Sequence, residues 1–133
     1  MKSLVYTTNS TATVVAVGSE VPVGSVRRRM GCDYVVGDRS IYINKAGYYL
    51  IDFSATLTAA TVGDVIFNVQ ENGQTIGSAT ESIATANTIF HTAAIPAVAR
   101  VYCCAGATIS IEIDPASTTA PTIESSSLRI VRY

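Results

Sequence analysis

Few residues in this sequence have the types and spacing needed for metal or acid-base chemistry. His91 is the only histidine, so a multi-histidine metal site cannot be built within one chain. It falls in a segment with strand-like alternation, over residues 88–95, where Ile89, His91, Ala93 and Ile95 share one side. This position predicts a packed histidine or one at a subunit interface.

The three cysteines, Cys32, Cys103 and Cys104, do not form a zinc-binding pattern. Adjacent residues of a strand point to opposite sides, so the pair at 103 and 104 cannot aim at one ion. An odd number of cysteines also gives a poor basis for a disulfide framework and favours synthesis in a reducing compartment. We predict buried thiols.

The sequence shows no enzyme signature. Acidic residues such as Asp64, Glu71, Glu81 and Asp114 have no spacing that would hold two carboxylates as an acid and base pair. A Gly-x-Ser-x-Gly nucleophile motif and a phosphate-binding glycine loop are both missing from the sequence. We therefore predict a protein that is not an enzyme, with no catalytic residues, no cofactor and no metal.

The densest charge cluster is Arg27-Arg28-Arg29. Three arginines could contact a phosphate or an acidic partner, or they could form a solvated loop or ion pairs between subunits. The cluster is too small to indicate nucleic-acid binding by itself. The formal net charge of −1 gives no overall attraction to nucleic acid or to an anionic membrane, so neither is predicted as a partner.

The stretch from 46 to 58, AGYYLIDFSATLT, predicts the central core strand. Tyr49, Ile51, Phe53 and Leu57 fall on one face, whereas the alternate positions are mostly polar. The length of 133 residues suits a single domain over 1–133, with residues 1–11 as a possible N-terminal arm. Only 14% of residues are charged, which is low for a soluble domain and favours a surface covered by a partner.

Other segments repeat the strand pattern. Asn72-Gly73 is a strong hairpin-turn signal between a strand over 65–71 and a return strand over 74–78. Residues 108–114 place three isoleucines on one face, and Pro96 interrupts another extended run. Since no segment has a sustained helical period, we predict an all-β, two-sheet antiparallel jelly-roll sandwich of about eight to ten strands.

The order of these features resembles the C1q/tumour-necrosis-factor-like jelly-roll family, particularly the version found in bacterial and phage structural proteins. The resemblance covers residues 40–133. It depends on Ile41-Tyr42-Ile43, Ala46-Gly47-Tyr48-Tyr49, Phe53 and Thr56, the Asn72-Gly73 hairpin, Ile109, Ile111 and Ile113, and Ser126-Ser127-Leu128. Many relatives have Gly-Asp where this chain has Gly106-Ala107, so the calcium ligands of some relatives do not carry over.

The resemblance implies a homotrimer in which each subunit lays one sheet against its neighbours around a threefold axis. Tyr48, Tyr102, Tyr133 and His91 are the candidate interface residues, because tyrosine combines apolar area with a polar tip. As an alternative role, three copies of His91 could hold a metal ion or an anion on the axis.

These observations predict a non-enzymatic trimeric structural protein of a phage or prophage virion, as a capsid decoration or a head or tail fibre component. The N-terminus has no signal-peptide pattern, so we expect synthesis in the bacterial host cytoplasm before assembly into the virion. Its partners would be copies of itself and capsid or tail proteins. The alternative is a module that binds a host surface glycan or receptor through loops over 80–87 or 117–122.

Overall fold

The computed structural model describes residues 2–92, 94–103 and 105–132, and this part of the chain forms strands and turns. It contains no helix long and apolar enough to cross a membrane. The strands are β1 (Ser3–Asn9), β2 (Thr13–Val14), β3 (Ser25–Met30), β4 (Tyr34–Val36), β5 (Ile41–Ile43), β6 (Gly47–Ala59), β7 (Gly63–Glu71), β8 (Gln74–Ile83), β9 (Phe90–His91), β10 (Ile95–Val101), β11 (Ala107–Ile113) and β12 (Pro121–Arg132).

Two antiparallel sheets form a sandwich. One is seven-stranded with the order β10-β6-β12-β1-β3, to which β2 adds beside β12 and β9 beside β6. The other is five-stranded with the order β4-β5-β11-β7-β8. This confirms the predicted all-β jelly-roll sandwich; the short β2 and β9 raise the number of strands above the predicted range.

The central strand β6 has the predicted two faces. Tyr49, Ile51, Phe53 and Leu57 are buried, and the residues between them point away from the core. The Phe53 ring meets the ring of Phe67 from the opposite sheet, with centroids 5.8 Å apart. Burying side chains of this size stabilises the fold by roughly 1.5–3 kcal/mol each, so this alternation holds the two sheets together.

Turn chemistry was also predicted from the sequence. Asn72 and Gly73 have φ angles of 52° and 81°, the left-handed conformation that a type I′ turn requires at both positions. They join β7 to β8, which pair antiparallel. However, β8 extends to Ile83, five residues beyond the predicted end of the return strand. Its pattern is hard to detect because the residues from 78 to 82 are small or polar.

The N-terminal segment is part of the sheet, which corrects the prediction of an arm over residues 1–11. Strand β1 pairs with β12 on one side and with β3 on the other. Its buried face carries Ser3, Val5 and Thr7, and two of these three are polar, so the sequence shows no apolar alternation. The Ser3 hydroxyl is satisfied by the hydroxyl of Tyr34, 3.0 Å away.

The prediction for residues 88–95 was wrong. Instead of one continuous strand, the chain forms the two-residue β9 and then β10, and both Ile89 and His91 are exposed. Pro96 lies within β10, which is the edge strand of its sheet. Proline is tolerated there because an edge strand does not need every backbone N–H for pairing.

Candidate interaction surface

A row of apolar side chains crosses the outer face of the seven-stranded sheet. Backbone pairing sets one residue of each of five strands opposite the next, in the order Val98, Leu50, Val131, Leu4 and Met30. The two ends of the row are 55% and 51% exposed, and the three central residues are half-buried. The outer face of an antiparallel sheet is ordinarily polar, so this row indicates a surface suited to burial against a partner.

This row is not apparent from the sequence. Leu50 does fall on the polar side of an otherwise regular alternation, and Val98 does the same between small residues, which is a weak signal. The five residues lie far apart in the sequence, so only the strand register shows that they are neighbours.

The next row of outward-facing residues along the strands contains a charge pair, and its members are Pro96, Asp52, Arg129, Tyr6 and Arg28. Asp52 and Arg129 stand opposite each other and form a salt bridge of 2.5 Å. The pair is substantially exposed, so its contribution to stability in the single chain is only about 0–1 kcal/mol. Beside the apolar row, the outer face therefore carries two opposite charges that neutralise each other.

Two of the predicted interface tyrosines lie together on the other side of the row. The Arg100 guanidinium lies over the rings of Tyr48 and Tyr102, at 5.5 and 4.7 Å from their centroids. Both tyrosines are exposed. The third candidate, Tyr133, lies outside the described residues.

His91 does not join this cluster. It pairs with Thr56 on β6, eight residues from Tyr48 and therefore about 26 Å away along the strand. The His91 Nδ1 atom is 3.0 Å from the Thr56 hydroxyl, beside a shallow cavity of about 330 Å³ lined mainly by serine and threonine. The histidine is exposed, which excludes the predicted packed position and leaves the interface position as a prediction.

The cavity beside His91 has no arrangement for catalysis. A histidine next to a hydroxyl is half of a nucleophile and base pair, but a third group must orient the base. Within the described part of the chain, no carboxylate is hydrogen-bonded to His91. The cavity can supply hydroxyl donors and acceptors, and no Asp, Glu, Lys or Arg is among the side chains that line it.

The prediction of buried thiols was wrong for the described cysteines. Cys32 and Cys103 are both exposed, because each lies in a turn after a strand rather than on a core face. Cys104 lies outside the described residues. Among the residues that the structure describes, no three His, Cys, Asp or Glu side chains come together as metal ligands.

Glu112 of β11 and Asp114, just after that strand, belong to a hydrogen-bond network. Asn68, only 4% exposed, donates to Asp114 at 2.7 Å and to Glu112 at 3.4 Å, and its carbonyl accepts from Ser78. The hydrogen bond from Asn68 lowers the pKa of Asp114, helped by the backbone N–H of Ala116. The network satisfies a buried amide and keeps the Asp114 carboxylate ionised.

The three consecutive arginines lie in a strand. A solvated loop, which was one of the alternatives predicted for them, is therefore wrong. Arg27, Arg28 and Arg29 lie in β3, at the edge of the seven-stranded sheet. A bulge opposite Tyr6 and Thr7 interrupts the pairing of β3 with β1. Three arginines in succession carry no apolar period, so the sequence gives no signal for this strand.

Comparison with known proteins gives relatives of the fold only. No protein-family model matches the chain, and no curated protein matches its sequence. A crystal structure of murine APRIL at pH 5.0 superposes with a TM-score of 0.68 at 13% identity, covering 100% of both chains. The globular domain of zebrafish complement 1qA superposes with a TM-score of 0.65 at 10% identity, covering 97% of this chain and 94% of that one.

These similarities define the class of fold. APRIL belongs to the tumour-necrosis-factor family, and the two-sheet topology here matches both neighbours. The chain therefore has a C1q/tumour-necrosis-factor-like jelly-roll fold, as the sequence resemblance predicted.

Proposed function

We propose that this chain is a non-enzymatic structural subunit that forms a homotrimer through the outer face of its seven-stranded sheet. The observation that carries the proposal is the apolar row from Val98 to Met30, which crosses that face in register. In a single copy the row would remain in water, whereas a neighbouring copy would remove it from water at roughly 25 cal/mol per Å².

The surroundings of the row suit a subunit interface. Tyr48 and Tyr102 are amphipathic, and tyrosine and arginine are both enriched at protein interfaces. The charge pair of Asp52 and Arg129 is already compensated, so burying it leaves no lone charge. A closed ring of three copies, as the sequence resemblance implies, buries this face in every copy, so that no further subunit can add to it.

We place the trimer in a phage or prophage virion, as a capsid decoration or a head or tail fibre component made in the bacterial host cytoplasm. The low charged fraction of 14% supports a protein whose surface is largely covered by other proteins in its assembled state. The sequence resemblance to phage structural proteins supports the same role. Capsid or tail proteins would be its partners.

A glycan- or receptor-binding role has less support at the two loops predicted for it. Residues 80–83 of the first loop belong to β8, and the second loop, over 117–122, is held by internal hydrogen bonds. The Ser117 hydroxyl accepts a hydrogen bond from the backbone of Ile66, and Thr119 is buried with its hydroxyl 2.7 Å from that of Thr61. These hydroxyls close the sandwich edge. They are therefore occupied within the fold rather than available to a sugar.

The virion role can be tested on particles from the bacterial strain that encodes the chain. Phage induced from that strain are purified on a density gradient and analysed by mass spectrometry, with an abundant host cytoplasmic protein as the contamination control. We expect the chain in the particle band at a stoichiometry comparable to other structural proteins. Its absence from intact particles, with capsid proteins present, would contradict the virion role.

A further inference from the structure

The edge strand β3 is unusual in being exposed along its whole length. All six of its residues are exposed, whereas every other described strand contains at least one buried or half-buried residue. Its arginines contact uncharged groups: Arg27 donates to the Thr8 hydroxyl at 2.8 Å, Arg28 to the carbonyl of its neighbour, and Arg29 to backbone carbonyls. Within the described residues, no carboxylate is paired with these three guanidinium groups.

Charge is divided between the two sheets. The strands of the seven-stranded sheet contain six arginines and two acidic residues, and three of those arginines are in β3. The five strands of the other sheet, all fully described, contain four acidic residues and no lysine or arginine. Of these four acidic residues, Asp64 and Glu112 face outward, whereas Glu71 and Glu81 lie opposite the buried Ile109 and Val65.

We propose that β3 of one copy docks on the acidic outer face of the five-stranded sheet of a second copy, and so joins trimers to one another. The occupant is a second copy because the complementary charge is present on the same molecule. A nearly neutral chain has little long-range repulsion to oppose this contact. The inference rests on the proposed structural function, which it deepens by naming how subunits assemble beyond the trimer.

The two contacts meet at β3, because the trimer row ends there at Met30, but they bury different sheets of the neighbouring copy. The proposed trimer buries the outer face of the seven-stranded sheet, and the acidic face is on the opposite side of the sandwich. On that face Asp64 is exposed and Glu112 is half-buried. Because β3 is the last strand of its sheet, its open edge lies at the border of the trimer contact, where a second trimer can reach it.

Sedimentation velocity of the full chain at low and high salt tests this proposal. At about 20 mM NaCl we expect species larger than the trimer, and at about 500 mM we expect the trimer alone, because salt screens exposed charges but leaves apolar contacts in place. A trimer that sediments identically at both salt concentrations would overturn the docking proposal and leave the trimer intact. A single subunit at both concentrations would overturn the trimer as well.

Charge reversal identifies the two surfaces. Arg28→Glu and Asp64→Lys should each weaken low-salt association at least tenfold, because each brings like charges together. Lys45→Glu is the control for Arg28→Glu, since it makes the same change of charge at an exposed residue outside β3. Mixing the Arg28→Glu and Asp64→Lys proteins should restore association, because each retains the surface that the other lacks. If Lys45→Glu weakens association equally, or if the mixture stays apart, docking through β3 is wrong.

Discussion

Leu50 and Val131 stand opposite each other on β6 and β12, with both side chains on the side of the sheet that faces away from the core. Their immediate neighbours along each strand, including Tyr49, Ile51 and Ile130, fill the core. The same two strands therefore carry apolar residues on both faces at this point. One face is used by the sandwich, and the other is available to a second copy.

Gly77 controls how closely the two sheet edges approach. This glycine is in β8 and pairs with Val69 of β7. A Cβ atom at its position would be 2.9 Å from the carbonyl oxygen of Pro96 in β10. We expect Gly77→Ala to lower the free energy of unfolding by about 1–3 kcal/mol, because backbone must move to admit the methyl group.

Gly37→Ala is the matched control, since its Cβ would lie 3.4 Å from the nearest atom. It should leave stability unchanged or raise it by up to about 1 kcal/mol. Both variants are compared by urea unfolding at one protein concentration, because association contributes to apparent stability. Equal stabilities for the two variants would show that β8 and β10 are not in close contact.

The core contact between the sheets depends on Phe67. Phe67→Ala removes a completely buried ring and its contact with Phe53, and should lower the free energy of unfolding by about 3–5 kcal/mol. Val62→Ala, at a largely exposed position just before the same strand, should change stability by less than about 0.5 kcal/mol. Thermal unfolding followed by circular dichroism separates these outcomes, and a small effect at Phe67 would contradict the sandwich packing.

Burial makes the fold sensitive to alkaline pH. Desolvation raises the pKa of Tyr49 to about 12, from 10.0, and also raises the pKa of Tyr34, which meets it edge to face. The folded state binds these protons more tightly than the unfolded state. The stabilising contribution of Tyr49 is therefore fully present below pH 10, decreases as the pH rises above that value, and is lost as the pH passes about 12.

Absorbance at 295 nm should show delayed ionisation of the buried tyrosines in the folded protein. Tyr49→Phe should remove one delayed transition and flatten the loss of stability between pH 10 and about 12. It also removes the hydrogen bond to the Lys45 carbonyl, so its stability at neutral pH must be measured separately. Tyr42→Phe, at an exposed position on the other sheet, serves as the control. Identical titrations of the native and unfolded wild-type protein would refute the prediction.

The fold was largely predictable where local signals agree with the global arrangement. In β6, apolar residues occupy every inward position, and at the turn after β7 Asn-Gly fits the required backbone angles. Prediction failed where one face of a strand carries hydroxyl groups, as at Ser3 and Thr7, or where successive charged residues replace an apolar alternation, as in β3. Such strands exist because of their neighbours in the sheet, which a local pattern does not include.

The interaction surface was only partly predictable for the same reason. Tyr48 and Tyr102 could be selected by residue type, and the structure brings them together around Arg100. Leu50 and Val98 could be seen as out of phase in their own strands, but their alignment with Leu4 depends on the order and register of strands distant in sequence. His91 was predicted to lie on a continuous strand. It lies instead in the two-residue β9, where its side chain is exposed.

The mass of the protein in solution tests the proposed trimer most directly. At micromolar concentration and about 500 mM NaCl, where charge contacts are screened, we predict three times the subunit mass of 14.0 kDa. Leu50→Glu should give single subunits, because it places a charge in the apolar row. Val35→Glu, at an exposed apolar residue of the other sheet, should leave the mass unchanged. A wild-type mass of one subunit, or a Leu50→Glu protein that remains trimeric, would contradict the proposal that this face joins the subunits.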